Sequence, residues 1–184
     1  AAHHNGLEKI SSWRPDLIDG DFAILMEPTD GRVEGGCQGT MRFTLEVPGR
    51  AAHSARSWVG HNAIHDLSAV LERLNRWQER DPFVEVDGLT FREGLNATML
   101  DAGVAGNVIP PTATIQINYR FAPDKTTEQA RQYMEDLFHE WPMNVLDLSA
   151  PARPGLDRPL AKSFVAAVGG EPGPKYGWTD VARF

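Results

Sequence analysis

The chain has 184 residues, 18 Lys and Arg against 25 Asp and Glu for a net charge of −7, and 41% hydrophobic residues. That size allows one or two domains with real cores, and the composition excludes disordered, collagen-like and disulfide-rich chains. The acidic excess also argues against nucleic acid and anionic membranes as partners, because the long-range field repels both, and it leaves room for a small cationic or zwitterionic one.

The first residues, Ala1 to Leu7, carry no initiator methionine. His3 and His4 read as a metal pair, as a tag relic or as side chains solvated near a helix end. The run Phe22-Ala23-Ile24-Leu25-Met26 before Glu27-Pro28 predicts a buried strand over 21–28 with Glu27 at its C-terminal end. Open α/β sheets bind ligands outside the carboxyl ends of their strands. Glu27 is therefore a ligand candidate by position, against the ordinary reading of a solvated carboxylate. The stretch Gly35-Gly36-Cys37-Gln38-Gly39-Thr40 has no lysine before Thr40, so it reads as a tight turn into a strand rather than a phosphate loop. Cys37, the single cysteine, has no histidine beside it and reads as a small buried residue. With no apolar run near 18 residues and no basic-then-apolar leader, the cytoplasm is the expected address.

From Thr40, Met41, Phe43, Leu45 and Val47 alternate with Arg42, Thr44 and Glu46 until Pro48-Gly49, which predicts a half-buried strand. Ala63, Ile64, Leu67, Val70, Leu71 and Leu74 then repeat at helical spacing, so Asn62 to about Gln78 is an amphipathic helix ended by Asp81-Pro82. Leu89 to Leu100 and Ala113 to Phe121 are further strands, the second with the cleanest alternation in the chain. Thr126 and Gln129 form a capping box that starts a second helix, and Met143 to Leu148 is a last short strand. The order β-α-β-β-α-β over 40–149 is that of a ferredoxin-like α/β (α+β) sandwich. Pro151, Pro154 and Gly155 form an exit linker, and Pro159 opens another helix carrying Leu160, Phe164 and Val168. Segments 1–39 and 150–184 are therefore expected to belong to one larger α/β domain that the sandwich interrupts, and the end at 177–184 reads as an unfinished element, so a fragment is expected.

His53 lies in a loop among small residues, open to a ligand, or alternatively a surface or helix-capping side chain. His61 and His65 are four apart, a metal-gripping spacing, but Asn62-Ala63-Ile64 supplies no acid and no zincin motif. Asn107, in Gly106-Asn107-Val108-Ile109-Pro110, sits at a loop-to-strand boundary where a side chain can bond its own backbone. Arg120 on the polar face of its strand can clamp a carboxylate with two parallel hydrogen bonds, or pair with a neighbouring strand.

Taken together, Met26-Glu27-Pro28-Thr29, Gly39-Thr40, Ala52-His53-Ser54-Ala55-Arg56 with Asn62-Ala63-Ile64-His65, Gly106-Asn107-Val108-Ile109-Pro110, Asn118-Tyr119-Arg120-Phe121 and Gly177-Trp178-Thr179-Asp180-Val181-Ala182-Arg183 resemble the co-catalytic zinc peptidase family. That family includes acetylornithine deacetylase, aminoacylase and, closest here, the actinobacterial succinyl-diaminopimelate desuccinylases. The resemblance spans essentially the whole chain. It implies a ferredoxin-like dimerisation domain at 40–149 inserted into a di-zinc catalytic domain of which 1–39 and 150–184 are parts, a homodimer, and two zinc ions with cobalt as an alternative. The implied reaction is hydrolysis of N-succinyl-L,L-2,6-diaminopimelate to succinate and L,L-diaminopimelate in lysine biosynthesis.

By the same resemblance Glu27 is a metal ligand, the one member of the ligand set that maps onto this chain, which alone is then expected to be inactive. His53 is the histidine that reaches into the partner subunit's site and stabilises the oxyanion of the tetrahedral intermediate. Asn107 and Arg120 bind the carboxylate end of the substrate, Thr179 lies near the succinyl group, and Arg183 falls in the same loop. Cys37 stands where many relatives carry an Arg for the succinyl carboxylate, so Arg56 or Arg183 is a candidate for that charge. The rival readings are a related N-acyl amino acid deacylase and a stand-alone ferredoxin-like module binding RNA or an amino acid. The charge of −7 and the lack of an aromatic, basic RNP-like strand count against RNA.

Overall fold

Strict alternation of apolar and polar side chains produces the two long strands at the centre of the molecule. The computed structural model describes residues 6–184, so the His3-His4 pair lies outside it. A helix α1 (Gly6–Trp13) and a two-residue strand β1 (Glu34–Gly35) precede the first long strand, β2 (Gly39–Pro48). A short β3 (Ala52–His53), a 3-10 stretch (Ser54–Val59) and α2 (Ala63–Gln78) follow. Next come β4 (Phe83–Val86), β5 (Leu89–Arg92), β6 (Gly94–Ala102), β7 (Val108–Ile109) and the second long strand, β8 (Thr112–Phe121). The chain continues through α3 (Thr127–Leu137), β9 (Met143–Ser149), α4 (Pro159–Val168), β10 (Gly173–Pro174) and a 3-10 turn (Asp180–Arg183).

The main sheet has the order β6-β8-β2-β9 with every pair antiparallel, which with α2 and α3 is the ferredoxin-like arrangement. The inward side chains of β2 (Met41, Phe43, Leu45, Val47) and β8 (Ala113, Ile115, Ile117, Tyr119, Phe121) pack against Leu67, Val70, Leu74 and Trp77 of α2 and against Ala130 and Met134 of α3. Both helices start where the side chains permit. Asn62 Oδ1 accepts the Ile64 amide at 2.9 Å, and Thr126 and Gln129 cap each other's backbone amides at 3.2 and 2.9 Å. The helices are tied by Trp77 Nε1, which donates to the Tyr133 hydroxyl at 3.0 Å. Among the described residues, no layer of helices covers the opposite face of the sheet, with Arg42, Asn118 and Arg120.

Two expectations change and a third holds. The strand expected over 89–100 is two strands that break at Glu93: β5 pairs with β4 through a turn at Asp87 and Gly88, both with positive φ, of 50° and 80°, and β6 pairs with β8 in the main sheet. An Asp-Gly pair between Val86 and Leu89 is the standard signal for such a turn. The run 22–26 is not a strand: no strand lies beside it among the described residues, and the Glu27 amide bonds only locally, to the Leu25 carbonyl. Met26 is 94% exposed, so an apolar run without a partner strand has stayed irregular. The Gly-rich stretch does turn into β2, and Gly36, at φ 63°, is pressed so closely on the 152–154 backbone that a Cβ would lie 2.3 Å from the Ala152 carbonyl oxygen.

The two outer segments meet each other. The strands β1 and β10 pair in parallel, Cys37 and Ala152 exchange backbone hydrogen bonds at 3.0 Å, and Lys175 pairs with Glu34 at 2.7 Å.

Candidate functional site

His53 is placed by a loop closed at its neck. The Arg50 and His61 backbones exchange hydrogen bonds of 2.8 and 2.9 Å, and β3 pairs with β7, putting His53 opposite Val108. This brings His53 beside Asn107, whose carbonyl accepts the Ser54 amide at 2.9 Å. The imidazole is exposed, and its Nδ1 accepts the Ala55 amide at 3.0 Å, capping the 3-10 stretch. In the neutral ring the proton then sits on Nε2, 3.3 Å from the Asn107 carboxamide nitrogen. With the carboxamide turned to present its oxygen, Nε2–H donates to it, and an oxygen of a ligand would take that N–H in its place.

His61 pairs with Asp66. Among the described residues no group of three or more His, Cys, Asp or Glu is placed to hold a metal. Glu27 is exposed and lines, with Thr179, a cavity of about 1580 Å³ between the outer segments. The described residues therefore do not fit a two-ion centre by themselves.

Arg120 lies at the other end of the main sheet, in register with Thr40. Its Nε donates to Asn118 Oδ1 at 3.0 Å, and Asn118 Nδ2 donates to Thr40 Oγ1 at 3.2 Å. Burial, reinforced by the neighbouring Arg42 and opposed by Asp147, lowers the Arg120 pKa below the usual guanidinium value. Near this end Thr179 is buried, and the fully buried Cys37 directs its thiol to the Thr179 carbonyl at 3.8 Å. Cys37 thus fits the sequence reading of a small buried residue. Arg183 donates to Asp180 at 2.9 Å and stacks on Trp178, its guanidinium carbon 5.4 Å from the ring centroid. Of the two candidates for an acyl-binding charge, Arg183 is thus engaged within its own turn, and Arg56 is exposed beside His53.

The carried-over residues form two groups. His53 and Asn107 stand past the Thr112 end of β8, whereas Arg120 is eight residues along the strand, about 27 Å at ~3.4 Å per residue. One chain does not bring the two groups together. Sequence reasoning placed Arg42 only on the polar face of its strand. Its position between Asn118 and Asp147 follows from strand pairing, which no local spacing signals.

A family profile described as peptidase dimerisation domain matches residues 36–140. The chain is 52% identical over 182 residues to a Mycobacterium tuberculosis protein provisionally named succinyl-diaminopimelate desuccinylase, covering 98% of this chain and 51% of that protein. It is 40% identical over 192 residues to the succinyl-diaminopimelate desuccinylase of Corynebacterium glutamicum, covering 100% of this chain and 51% of that one. The chain thus spans about half the length of the curated relatives it matches. Among solved structures it is similar to an M20 family metallo-carboxypeptidase from Sulfolobus solfataricus, with a TM-score of 0.63 at 14% identity over 95% of this chain and 55% of that one. The chain belongs to the peptidase dimerisation domain family.

Proposed function

We propose that the protein containing this chain hydrolyses the succinyl amide of N-succinyl-L,L-2,6-diaminopimelate, releasing succinate and L,L-diaminopimelate for lysine biosynthesis in the cytoplasm. The observation that carries this reading is identity of 52% and 40%, along essentially the whole chain, to two proteins bearing that name. In it, residues 40–149 are a dimerisation domain inserted between two parts of a catalytic domain, 1–39 and 150–184. The parallel pairing of β1 with β10 supports the joining of the outer parts.

The partner is a second copy of the chain. Among the described residues no strand pairs with the outer edge of β6, and Met99 and Leu100 on it are 66% and 60% exposed, a combination that invites pairing with another strand. A two-fold axis also resolves the separation of the two residue groups: His53 and Asn107 of one protomer complete a site that has Arg120 and Thr179 of the other. There, Nε2–H of His53 donates to the oxygen on which charge develops as the amide carbon becomes tetrahedral, and the Ala55 amide fixes which ring nitrogen carries that proton. Arg120 and Asn107 hold the carboxylate end of the substrate, and Thr179 and Arg183 border the acyl group.

The enzyme is read as a metal hydrolase with two zinc ions, cobalt being the alternative, and Glu27 is the ligand this chain supplies. Two ions would supply a nucleophilic water, but the described residues offer no ligand cluster for them, and no step is derived through them.

The test uses the full-length protein. His53→Ala subunits are mixed with Glu27→Ala subunits, each expected to be inactive as a homodimer. In a mixed dimer the first subunit keeps its Glu27 and receives His53 from the second. Random exchange then restores about a quarter of the wild-type activity. A stable mixed dimer without recovery, or full activity in either homodimer, refutes service between subunits.

A further inference from the structure

The loop that carries His53 turns its largest apolar side chain to solvent. Trp58 is 76% exposed and its neighbour Val59 is half exposed. Among the described residues Trp58 has no aromatic, cation–π or hydrogen-bond partner, whereas Trp77 donates to Tyr133, Trp178 donates to the Ala150 carbonyl and Trp141 carries Arg73. A loose loop is not the reason. Its neck is closed by the Arg50–His61 pairing, the Gly60 amide donates to the Ser57 carbonyl at 3.0 Å, and Gly60 is wedged so that a Cβ would lie 2.7 Å from the Ala52 Cβ. A fixed turn that holds an indole in water is suited to anchoring another surface, because aromatic side chains buried at the centre of an interface carry much of its binding energy.

The loop is also basic. From Val47 to His65 there are two arginines and three histidines and no acidic residue, in a chain of net charge −7. Arg50 and Arg56 are exposed and take part in no ion pair among the described residues. The complement is the segment 17–31, which carries Asp19, Asp21, Glu27 and Asp30, all exposed, with no basic residue, and which also exposes Ile24 and Met26. One copy of the chain keeps the two apart. The segment leads through β1 into the main sheet at Gly39 and the loop leaves that sheet at Pro48, the length of β2 away, roughly 30 Å at ~3.4 Å per residue. The match is therefore available only between two copies. Val104, 73% exposed between β6 and β7, connects the loop to the exposed apolar edge of β6.

We propose that the loop 50–61 is a docking surface for a second copy of the chain, that Trp58 seats against the partner subunit's segment 17–31, and that Trp58 is thereby a positioning residue for His53. The opposed charges steer the two surfaces together, and the indole excludes water and fixes their separation. A shift of about 1 Å in a catalytic group costs on the order of 10²-fold in rate, so an anchor in the same short, rigid loop controls how well His53 is placed. The role toward His53 rests on the reading that this histidine serves the other subunit; the docking surface does not.

The experiment has two arms, both on the full-length protein. In the first, subunits with the photoreactive replacement Trp58→p-benzoylphenylalanine are exchanged into mixed dimers with isotopically heavy wild-type subunits and irradiated. Mass spectrometry is expected to find cross-links from position 58 to segment 17–31 of the heavy subunit, with a yield about fivefold lower when Arg50→Glu and Arg56→Glu are added. Cross-links confined to one chain, cross-links to another part of the partner, or none at all overturn the docking surface. In the second, Trp58→Ala is expected to lower kcat by about 10- to 100-fold with KM changed less than about twofold, while Trp58→Phe stays within about threefold of wild type. An unchanged kcat in Trp58→Ala, or a loss that Trp58→Phe shares in full, overturns the positioning role. If cross-links fall in segment 17–31 while His53→Ala and Glu27→Ala subunits show no recovery on mixing, service between subunits fails and the docking surface stands.

Discussion

Replacing Glu93 by alanine is expected to destabilise the chain by about 3–5 kcal/mol, the cost of removing one partner from a buried ionic cluster. Glu93 sits between β5 and β6 and is 4% exposed. Its Oε1 accepts the Tyr119 hydroxyl at 3.2 Å, the Ala122 amide at 3.0 Å and the Lys125 ammonium at 3.0 Å, and its Oε2 accepts Arg80 at 2.6 Å. One carboxylate thus joins the end of α2, the inner face of β8 and the approach to α3. Alanine leaves a buried phenol and amide without their acceptor and two cations without their anion. Arg80 is the more exposed of these, at 32%, and rests 3.8 Å from the Trp77 ring, so it recovers part of its solvation. The loss therefore comes mainly from Tyr119, Ala122 and Lys125. Burial pushes the Glu93 carboxyl up, but the Ala122 amide, Arg80 and Lys125 together outweigh it and hold the group below the usual carboxylate range. A carboxyl lowered on folding stabilises fully above its unfolded value, about 4.3, and loses that contribution as pH falls through the lower folded value. Urea unfolding at pH 7 and at a series of acid pH values measures both effects. A loss below about 1 kcal/mol at pH 7, or a gap between variant and wild type that does not narrow in acid, refutes this account.

In the full-length protein, His53→Ala is expected to lower kcat on the order of 10²–10³-fold with little change in KM, equivalent to about 2.7–4 kcal/mol, because its donor meets charge that develops only in the transition state; steady-state kinetics showing a pure KM effect would refute that role. The 184-residue chain alone is expected to show no amide hydrolysis above buffer with zinc or cobalt added, and turnover there would refute the assignment of the missing ligands to other parts of the protein. It is expected to sediment as a dimer at tens of micromolar, and Leu100→Lys on the open edge of β6 should shift it to monomer without unfolding it; a monomeric wild type counts against the edge as the interface. Thr126→Ala removes one half of a capping box and should cost about 1 kcal/mol in urea unfolding, with a neutral result showing that α3 is held by its packing alone.

The alternation in 40–47 and 113–121, the helical repeat after Asn62 and the Thr126–Gln129 box determined the central strands and both helices by themselves, because each is a local signal whose period matches one backbone geometry. The order of those elements was enough for the ferredoxin-like arrangement. A local signal was also present at Asp87-Gly88, which marks the hairpin of β4 and β5, whereas the break of the strand expected over 89–100 at Glu93 follows from β5 and β6 joining different sheets. Tertiary structure decided the rest. An apolar run such as 22–26 is a strand only where another strand accepts its hydrogen bonds, and none lies beside it among the described residues. His53 and Asn107, 54 residues apart, meet through the pairing of β3 with β7, and Arg42 comes beside Arg120 through the register of β2 on β8. Glu93 is a solvated-looking carboxylate in the sequence and a buried hub in the fold. Sequence spacing reports which face of an element a side chain occupies; which other face it meets is fixed by long-range pairing, whose energy is collected only when the whole sheet and its two helices close together.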